Sequence, residues 1–224
     1  DPQEREKAQQ YLDVITPLCK AYPSDEGWWL CGEAIQAYGG YGYCEEYPVA
    51  QIARDIKIYS IWEGTNFIQS MDLIGRKMGM GRGAVFAAFL SEARNFTTEN
   101  RYTTGLEKEF RNLDRALVSA DKMLTCLVDF RNNNPTMIPV FGRRVLTAIS
   151  QLHCSHILLD MACVALRRIK ETGTEHHDYN FYVGKIEAAK WYLRNVTPSI
   201  EYISHIICDR DTSALDIPLE AFDY

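Results

Sequence analysis

The stretch QAYGGYGYCEEYPVAQIARDIKIYSIWEGTNFIQSMDLIGRKM, residues 36–78, carries the most informative pattern in the chain. Its glycine cluster over residues 39–42 predicts the end of one helix, because glycine readily adopts the backbone angles of a sharp turn. Apolar residues then recur at helical spacing over residues 47–61. The segment WEGT interrupts this pattern, and Thr65 or Asn66 can cap the helix that follows it. The stretch therefore predicts three successive helices joined by a turn and a break.

The remainder of the chain has the same helical periodicity, so the predicted fold class is all-α. On the amino-terminal side we expect one helix over about residues 3–14. A second is expected from Thr16 to Tyr38, with Pro17 in its first turn and a kink at Pro23. Beyond the segment GMGRG, four longer helices are expected over about residues 84–100, 105–130, 137–170 and 179–209. Four such helices joined by short polar segments predict an antiparallel bundle.

The composition predicts a folded protein that neither binds nucleic acid nor spans a membrane. Of the 224 residues, 46% are hydrophobic and 24% are charged, which suits a packed core. The net charge of −6 disfavours a nucleic-acid backbone, which attracts clustered lysine and arginine. No uninterrupted apolar run approaches the roughly 20 residues that a membrane span requires.

The cysteines and the first residues bear on where the protein works. The seven cysteines are odd in number and have no regular spacing, so they do not predict a disulfide framework. We therefore expect reduced thiols and a cytoplasmic location. The opening DPQEREKAQQ is polar, lacks the apolar core of a signal peptide and has no initial methionine. We expect the chain to be a processed or excised piece of a longer protein.

Four motifs within residues 36–78 agree in their spacing: Q-x-x-G-G-x-G-Y, E-Y-P, R-D and E-G-T-N-x-I-Q. Together they resemble the carboxy-terminal signature of the acyl-CoA dehydrogenases, FAD-dependent enzymes that form an α,β double bond in an acyl-CoA thioester. Residues 177–200 are similar to the additional helical domain of a large-subunit branch that includes methylthiopropanoyl-CoA dehydrogenases. The resemblance implies that residues 1–80 are the carboxy-terminal part of the dehydrogenase helical domain. Residues 81–224 would then form the appended helical bundle domain.

The resemblance implies that Glu63 is the catalytic base. Taking a proton from the carbon beside a thioester requires a base within hydrogen-bonding reach of it. A carboxylate serves when it is partly removed from water, and Trp62 is expected to shield it. The family usually has tyrosine at the position of Trp62. By the same resemblance, Trp62 and Gly64 line the path of the acyl substrate, and Thr65 and Asn66 meet the FAD at the start of a helix. The backbone N–H of the base would donate to the thioester oxygen.

A second set of residues is implied to contact FAD from another direction. Gln36, Gly39 and Gly40 match a turn that, in the family, touches the FAD held mainly by the neighbouring subunit. The resemblance thus implies a homo-oligomer, a dimer or tetramer, with an electron-transfer flavoprotein as electron acceptor. The amino-terminal helical domain and the middle β-domain of the family core do not occur in this chain. We therefore expect the isolated chain neither to bind FAD firmly nor to turn over substrate.

Other interpretations stay open on the residues alone. The helical scaffold can serve as a non-catalytic interaction or assembly module, in which Glu63 is an ordinary helix-end carboxylate. The DNA-associated branch of the same superfamily is a further alternative, although it requires a basic surface. His153 and His156 lie one turn apart, and a packed core helix explains them more simply than a metal site. We expect Arg54 and Asp55 to have a structural role in an ion pair.

Overall fold

Every regular element in residues 1–222, the part of the chain that the computed structural model describes, is a helix. This confirms the all-α prediction. The chain divides into two compact units, Asp1–Phe89 and Leu90–Tyr224. The first unit contains α1 (Pro2–Tyr38), α2 (Pro48–Ile58), α3 (Asn66–Gly75), the 3₁₀ segments Gly39–Tyr43 and Lys77–Gly83, and the beginning of α4 (Ala84–Asn100). The second contains the end of α4, α5 (Glu107–Asn133), α6 (Met137–Thr172), α7 (Tyr179–Asn195), α8 (Ser199–Asp209) and the 3₁₀ segment Leu219–Phe222.

The first unit is built on α1, against which α2 and α3 both pack. The sequence predicted two helices where α1 is one, and that prediction is wrong. The Thr16 hydroxyl donates to the carbonyl of Leu12 at 2.6 Å, so it does not cap a new helix. Pro17 and Pro23 lie inside α1. A proline within a helix costs about 3 kcal/mol. Burial of the apolar side chains around Pro17, including Val14 and Leu18, offsets that cost.

The division between the two compact units falls within α4, between Phe89 and Leu90. The predicted domain boundary between residues 80 and 81 stays a prediction. In the first unit the ring of Phe89 packs against Tyr11 with their centroids 5.9 Å apart. In the second unit the ring of Phe96 lies 5.7 Å from that of Phe110. The glycine-rich segment GMGRG lies within the 3₁₀ segment Lys77–Gly83, which packs on α3.

The second unit is a bundle in which α6 packs against α5, α7 and α8. By length and composition α6 is also apolar enough to cross a membrane. Within this unit 56% of its most apolar stretch is buried, as expected for the core helix of a bundle. The sequence analysis did not identify α6 as a possible membrane span, because polar residues interrupt its apolar run.

The last predicted helix, over residues 179–209, is two helices. Pro198 precedes α8 and has no N–H to continue the ladder of α7. Thr197 is fully buried at this break, and its hydroxyl lies 2.7 Å from that of Ser155 on α6. This contact between distant parts of the chain holds the break in place.

Two histidines of α6 predict that the second unit is destabilised by acid. Burial and the nearby His156 lower the pKa of His153 to about 4. Burial also lowers the pKa of His156, against the opposing effect of Glu92 and Asp160. An unfolded histidine titrates near 6.5, so the unfolded chain binds more protons between these values. The stability is therefore complete above about pH 6.5 and is lost as the pH falls towards about 4.

We expect the free energy of unfolding to fall by about 1–2 kcal/mol between about pH 7 and about pH 5 because of His153. Urea denaturation followed by circular dichroism measures this. In the His153→Gln variant the dependence on pH should be weaker, because glutamine does not titrate. An identical loss of stability in both proteins contradicts the prediction.

Candidate functional site

The joint between α2 and α3, residues 59–65, has a strained backbone at the predicted base. Glu63 has φ of 53° and Gly64 has φ of 86°, so two successive residues are left-handed. A glutamate in this region is uncommon, because its Cβ is crowded by the backbone. Such strain is concentrated at functional sites, where the surrounding structure maintains it. Arg82 and Arg210 also have a positive φ, so the conformation supports the assignment of Glu63 only together with the motif around it.

Gly64 is required by the geometry of the joint. A Cβ added to Gly64 would lie 2.9 Å from Nε2 of Gln69. That same amide donates to the carbonyl of Glu63 at 3.3 Å, so the glycine leaves room for a bond that holds the base. This local role accounts for the glycine. Its predicted place along the acyl path stays a prediction.

Thr65 and Asn66 fix the start of α3 in different ways. The Thr65 hydroxyl accepts from the backbone N–H of Ile68 at 3.3 Å, which confirms it as the helix cap. Asn66 is buried, and its side-chain amide donates to the carbonyl of Ala21 at 3.2 Å. The same amide lies 2.8 Å from the hydroxyl of Ser24 and 2.8 Å from a carboxylate oxygen of Asp25.

Lys20 joins this network and ties it to the joint. Its ammonium donates to the side-chain oxygen of Asn66 at 3.2 Å and to the carbonyl of Gly64. Partial burial lowers the pKa of Lys20, while the carboxylates of Asp25 and Glu63 act in the opposite direction. We call Lys20, Ser24, Asp25 and Asn66 the α1 clamp. Because the clamp uses the Asn66 side chain internally, the predicted contact of Asn66 with FAD stays a prediction.

Replacing Asn66 by alanine is expected to lower the stability of the first unit by about 2–3 kcal/mol, because buried groups lose their hydrogen-bond partner. Thr65→Ala is the matched control, since it removes only the cap and should cost about 1 kcal/mol. Tryptophan fluorescence during chemical denaturation reports mainly on this unit, because Trp28, Trp29 and Trp62 lie in it and only Trp191 lies in the second unit. Equal losses in the two variants would show that the clamp contributes no more than an ordinary cap.

The base is not shielded from water by the described part of this chain. Glu63 is exposed, and the predicted shield Trp62 is 55% exposed. The described residues thus leave both side chains exposed, and the expected shielding by Trp62 stays a prediction. The neighbouring large apolar side chains are also exposed: Ile58, Tyr59, Ile61, Phe67 and Ile68. We call these five residues and Trp62 the joint surface. Such a concentration of apolar side chains is typical of a surface that is covered by a ligand or by protein.

The second predicted set lies at the other end of α2. Gln36, Gly39 and Gly40 are exposed, and no atom lies within 4 Å of a Cβ added to either glycine. The helix α2 separates this turn from the joint, and its 11 residues rise by about 16 Å. The structure therefore does not bring the two predicted sets together within one chain.

Gly42, which the sequence analysis did not single out, is the glycine that packing requires in this turn. A Cβ on Gly42 would lie 2.6 Å from the carbonyl oxygen of Ile35. For Gly40, by contrast, neither crowding nor a positive φ accounts for the missing side chain. Gly32, Gly75 and Gly184 are equally uncrowded and also lack a positive φ, so the predicted contact of Gly40 with FAD stays a prediction.

The other polar residues considered as site candidates either have a structural role or are already hydrogen-bonded within the chain. Arg54 pairs with Glu45 at 3.0 Å and not with Asp55, because adjacent residues on a helix point in different directions. His156 is buried, and its ring lies 4.9 Å from that of Phe96, as expected for a core residue. The possible ligand atoms of His176, His177 and Asp178 lie within 4.8 Å of one another. Nδ1 of His176 already accepts from the Asp178 N–H at 3.2 Å, which occupies one of these atoms.

The sequence of both units matches known family models. Residues 3–79 match the model described as "Acyl-CoA dehydrogenase, C-terminal domain". Residues 87–218 match the model described as "Acetyl-CoA dehydrogenase C-terminal like". The chain belongs to the acyl-CoA dehydrogenase family. All predicted site residues lie within the first of these matches.

Individual members of the acyl-CoA dehydrogenase family show how far the similarity extends. A butyryl-CoA dehydrogenase of Syntrophomonas wolfei is 40% identical over 219 residues, which is 98% of this chain and 36% of that protein. The 3-methylmercaptopropionyl-CoA dehydrogenase of Ruegeria pomeroyi is 40% identical over 78 residues, 34% of this chain and 13% of that protein. The butyryl-CoA dehydrogenases of Syntrophomonas wolfei match almost the whole of this chain, and the chain spans about a third of their length.

A solved structure supports the helical fold. The crystal structure of Caenorhabditis elegans ACDH-11 in complex with C11-CoA matches with a TM-score of 0.65 and 20% identity. The match covers 92% of this chain and 34% of that one. At this identity the likeness shows the fold alone. Both units therefore have the helical architecture found in acyl-CoA dehydrogenases.

Proposed function

We propose that this chain is the carboxy-terminal portion of an FAD-dependent acyl-CoA dehydrogenase and that Glu63 is its base. The observation that carries the proposal is the strained, left-handed Glu63 within a joint that the α1 clamp holds in place. The motif around Glu63 and the 40% identity to a butyryl-CoA dehydrogenase support the same function.

The chain's own residues perform the proton transfer. The Glu63 carboxylate accepts the proton from the α-carbon of the acyl thioester, and the Glu63 backbone N–H donates to the thioester oxygen as charge develops there. FAD, when bound, supplies the acceptor for the hydride that leaves the β-carbon. The Gln69 amide and the Lys20 ammonium hold the carbonyls of Glu63 and Gly64, so the base keeps its place during the transfer.

The exposed joint surface has a direct consequence for activity. A carboxylate in water is a weak base, so an efficient site needs the joint to be covered. The acyl chain and the remaining two-thirds of the protein, as judged from the length of the relatives, supply this cover. We therefore propose that the 224-residue chain alone is inactive and binds FAD weakly. Gln36, Gly39 and Gly40 present an open surface to FAD held by a second subunit.

The proposed partners follow from this arrangement. A site completed across subunits requires a homo-oligomer, a dimer or tetramer, and an electron-transfer flavoprotein serves as the electron acceptor. The protein acts in the cytoplasm on acyl-CoA, without contact to nucleic acid.

The visible spectrum of the protein that contains this chain tests the function. A flavin band that bleaches on addition of butyryl-CoA or another saturated acyl-CoA supports the dehydrogenase. A protein without flavin, or with a band that no acyl-CoA bleaches, contradicts it. The same measurement on the 224-residue chain tests the proposal that this chain alone is inactive and binds FAD weakly. A yellow and active chain would contradict that proposal.

A further inference from the structure

A pair of cysteines joins α5 to α8 in the second unit. The sulfur of Cys126 on α5 lies 2.8 Å from the sulfur of Cys208 near the end of α8. The two residues are 82 positions apart in sequence, so their contact depends on how the bundle packs. A disulfide bond is about 2.05 Å long. The two sulfur atoms are therefore about 0.75 Å farther apart than in a disulfide bond.

The contacts around the pair hold α8 against α5. The Ser204 hydroxyl donates to the carbonyl of Ser119 at 3.0 Å, and both serines are buried. Closer to the start of α8, Glu201 pairs with Arg115 at 3.0 Å. Because these contacts do not involve sulfur, they align the two helices whether or not the thiols are oxidised.

The two thiols differ in their accessibility. Cys126 is only 8% exposed, whereas Cys208 is partly exposed to solvent. Burial, followed by the neighbouring Cys208 thiol, raises the pKa of Cys126 to about 11. Cys126 is therefore a protonated thiol at neutral pH, and an outside reagent meets Cys208 first.

We propose that Cys126 and Cys208 form a reversible redox site that reacts with low-molecular-weight disulfides such as oxidised glutathione. Cys208 loses its proton to solvent, and its thiolate attacks one sulfur of the glutathione disulfide. The bond between the glutathione sulfurs breaks, and one glutathione leaves. Cys126 then attacks the sulfur of Cys208, and its proton leaves with the second glutathione. Two thiols are oxidised to one protein disulfide, and one glutathione disulfide is reduced to two glutathiones.

A disulfide bond between Cys126 and Cys208 would fix the end of α8, where the chain leaves the bundle. Arg210 directly follows α8 in a left-handed conformation and pairs with Asp129 on α5 at 2.6 Å. Beyond it, residues 211–222 are exposed. In the reduced protein this exit is held by the Arg210 pair and the contacts of α8. Oxidation adds a covalent link two residues before Arg210, so the end of α8 can no longer separate from α5.

The test equilibrates the purified protein with mixtures of reduced and oxidised glutathione, followed by acid quenching, alkylation and mass spectrometry. We expect a mass loss equal to two hydrogen atoms and one peptide pair linked through Cys126 and Cys208. The melting midpoint of the second unit should rise by roughly 10 °C on oxidation, because a long loop is closed in the unfolded chain. Addition of a dithiol reductant should reverse both changes.

Two variants complete the test. Cys208→Ser should abolish the linked peptides and the shift in melting, and its partly exposed position permits folding. Cys163→Ser is the control, because Cys163 is also buried but lies on α6. It should form the link as the wild type does. The proposal fails if the wild type keeps both thiols at every glutathione ratio, or if Cys208 retains glutathione without closing the bond.

Discussion

Replacing Glu63 by glutamine is expected to slow acyl-CoA oxidation by about 10²–10⁴-fold, the usual contribution of a positioned general base. Glutamine has nearly the same shape as glutamate but cannot accept the α-proton. Hydrogen bonds from Gln69 and Lys20 to the backbone carbonyls of Glu63 and Gly64 hold the left-handed joint. The substitution changes neither carbonyl. The flavin content and the melting midpoint should therefore stay as in the wild type. The rate is measured by stopped-flow bleaching of the flavin with a saturated acyl-CoA, in the longer protein that contains this chain.

A matched control separates the role of this carboxylate from a general effect of charge. Glu33 is also an exposed glutamate of the first unit. Glu33→Gln should leave the bleaching rate unchanged. If Glu63→Gln bleaches as fast as the wild type, the base lies elsewhere. If both variants lose flavin, the substitutions act on cofactor binding and not on proton transfer.

Replacing Arg194 by methionine is expected to destabilise the second unit by about 3 kcal/mol, because it leaves a buried carboxylate without its partner. Arg194 on α7 donates to Glu109 on α5, and Glu109 is only 1% exposed. The second carboxylate oxygen of Glu109 has no hydrogen-bond partner among the described residues. The guanidinium is therefore the principal compensation for burying this charge. Chemical denaturation followed by circular dichroism measures the loss.

A double variant distinguishes an uncompensated charge from lost packing. Changing Glu109 to leucine as well removes the buried carboxylate, so the double variant should recover most of the loss. The exposed pair of Arg101 and Asp114, at 3.4 Å, is the reference. Arg101→Met should cost under about 1 kcal/mol, as is usual for surface ion pairs. If the double variant is no more stable than Arg194→Met alone, the ion pair is not the source of the effect.

The fold was predictable where local residues settle it. The helix over residues 84–100 was predicted with the bounds of α4, because its apolar spacing and the flanking glycines act within a few residues. Thr65 was one of two predicted caps, and the structure assigns the cap to Thr65. The predicted interruption at Pro17 and the predicted continuous helix over residues 179–209 were wrong. At Pro17, packing with distant residues outweighs the local preference. The break before α8 follows from Pro198, a local signal that the prediction did not weigh.

The candidate site was predictable in part for the same reason. Glu63 stands within a motif whose spacing is visible in the sequence. Lys20, which holds the joint around it, lies 44 residues away from Gly64, and no local pattern connects the two. Likewise Asn66 matches the motif, yet its burial within the α1 clamp follows from the packing of α3 on α1.

Family membership, the helical class and the place of the proposed base thus follow from the order of residues, because motifs and helical periodicity are properties of neighbouring positions. The clamp from α1 and the contact between Cys126 and Cys208 arise only when separate helices pack. The tertiary structure also leaves Trp62 and its apolar neighbours at the surface. Burial depends on every element that packs against a residue, and a local sequence pattern carries no record of those elements.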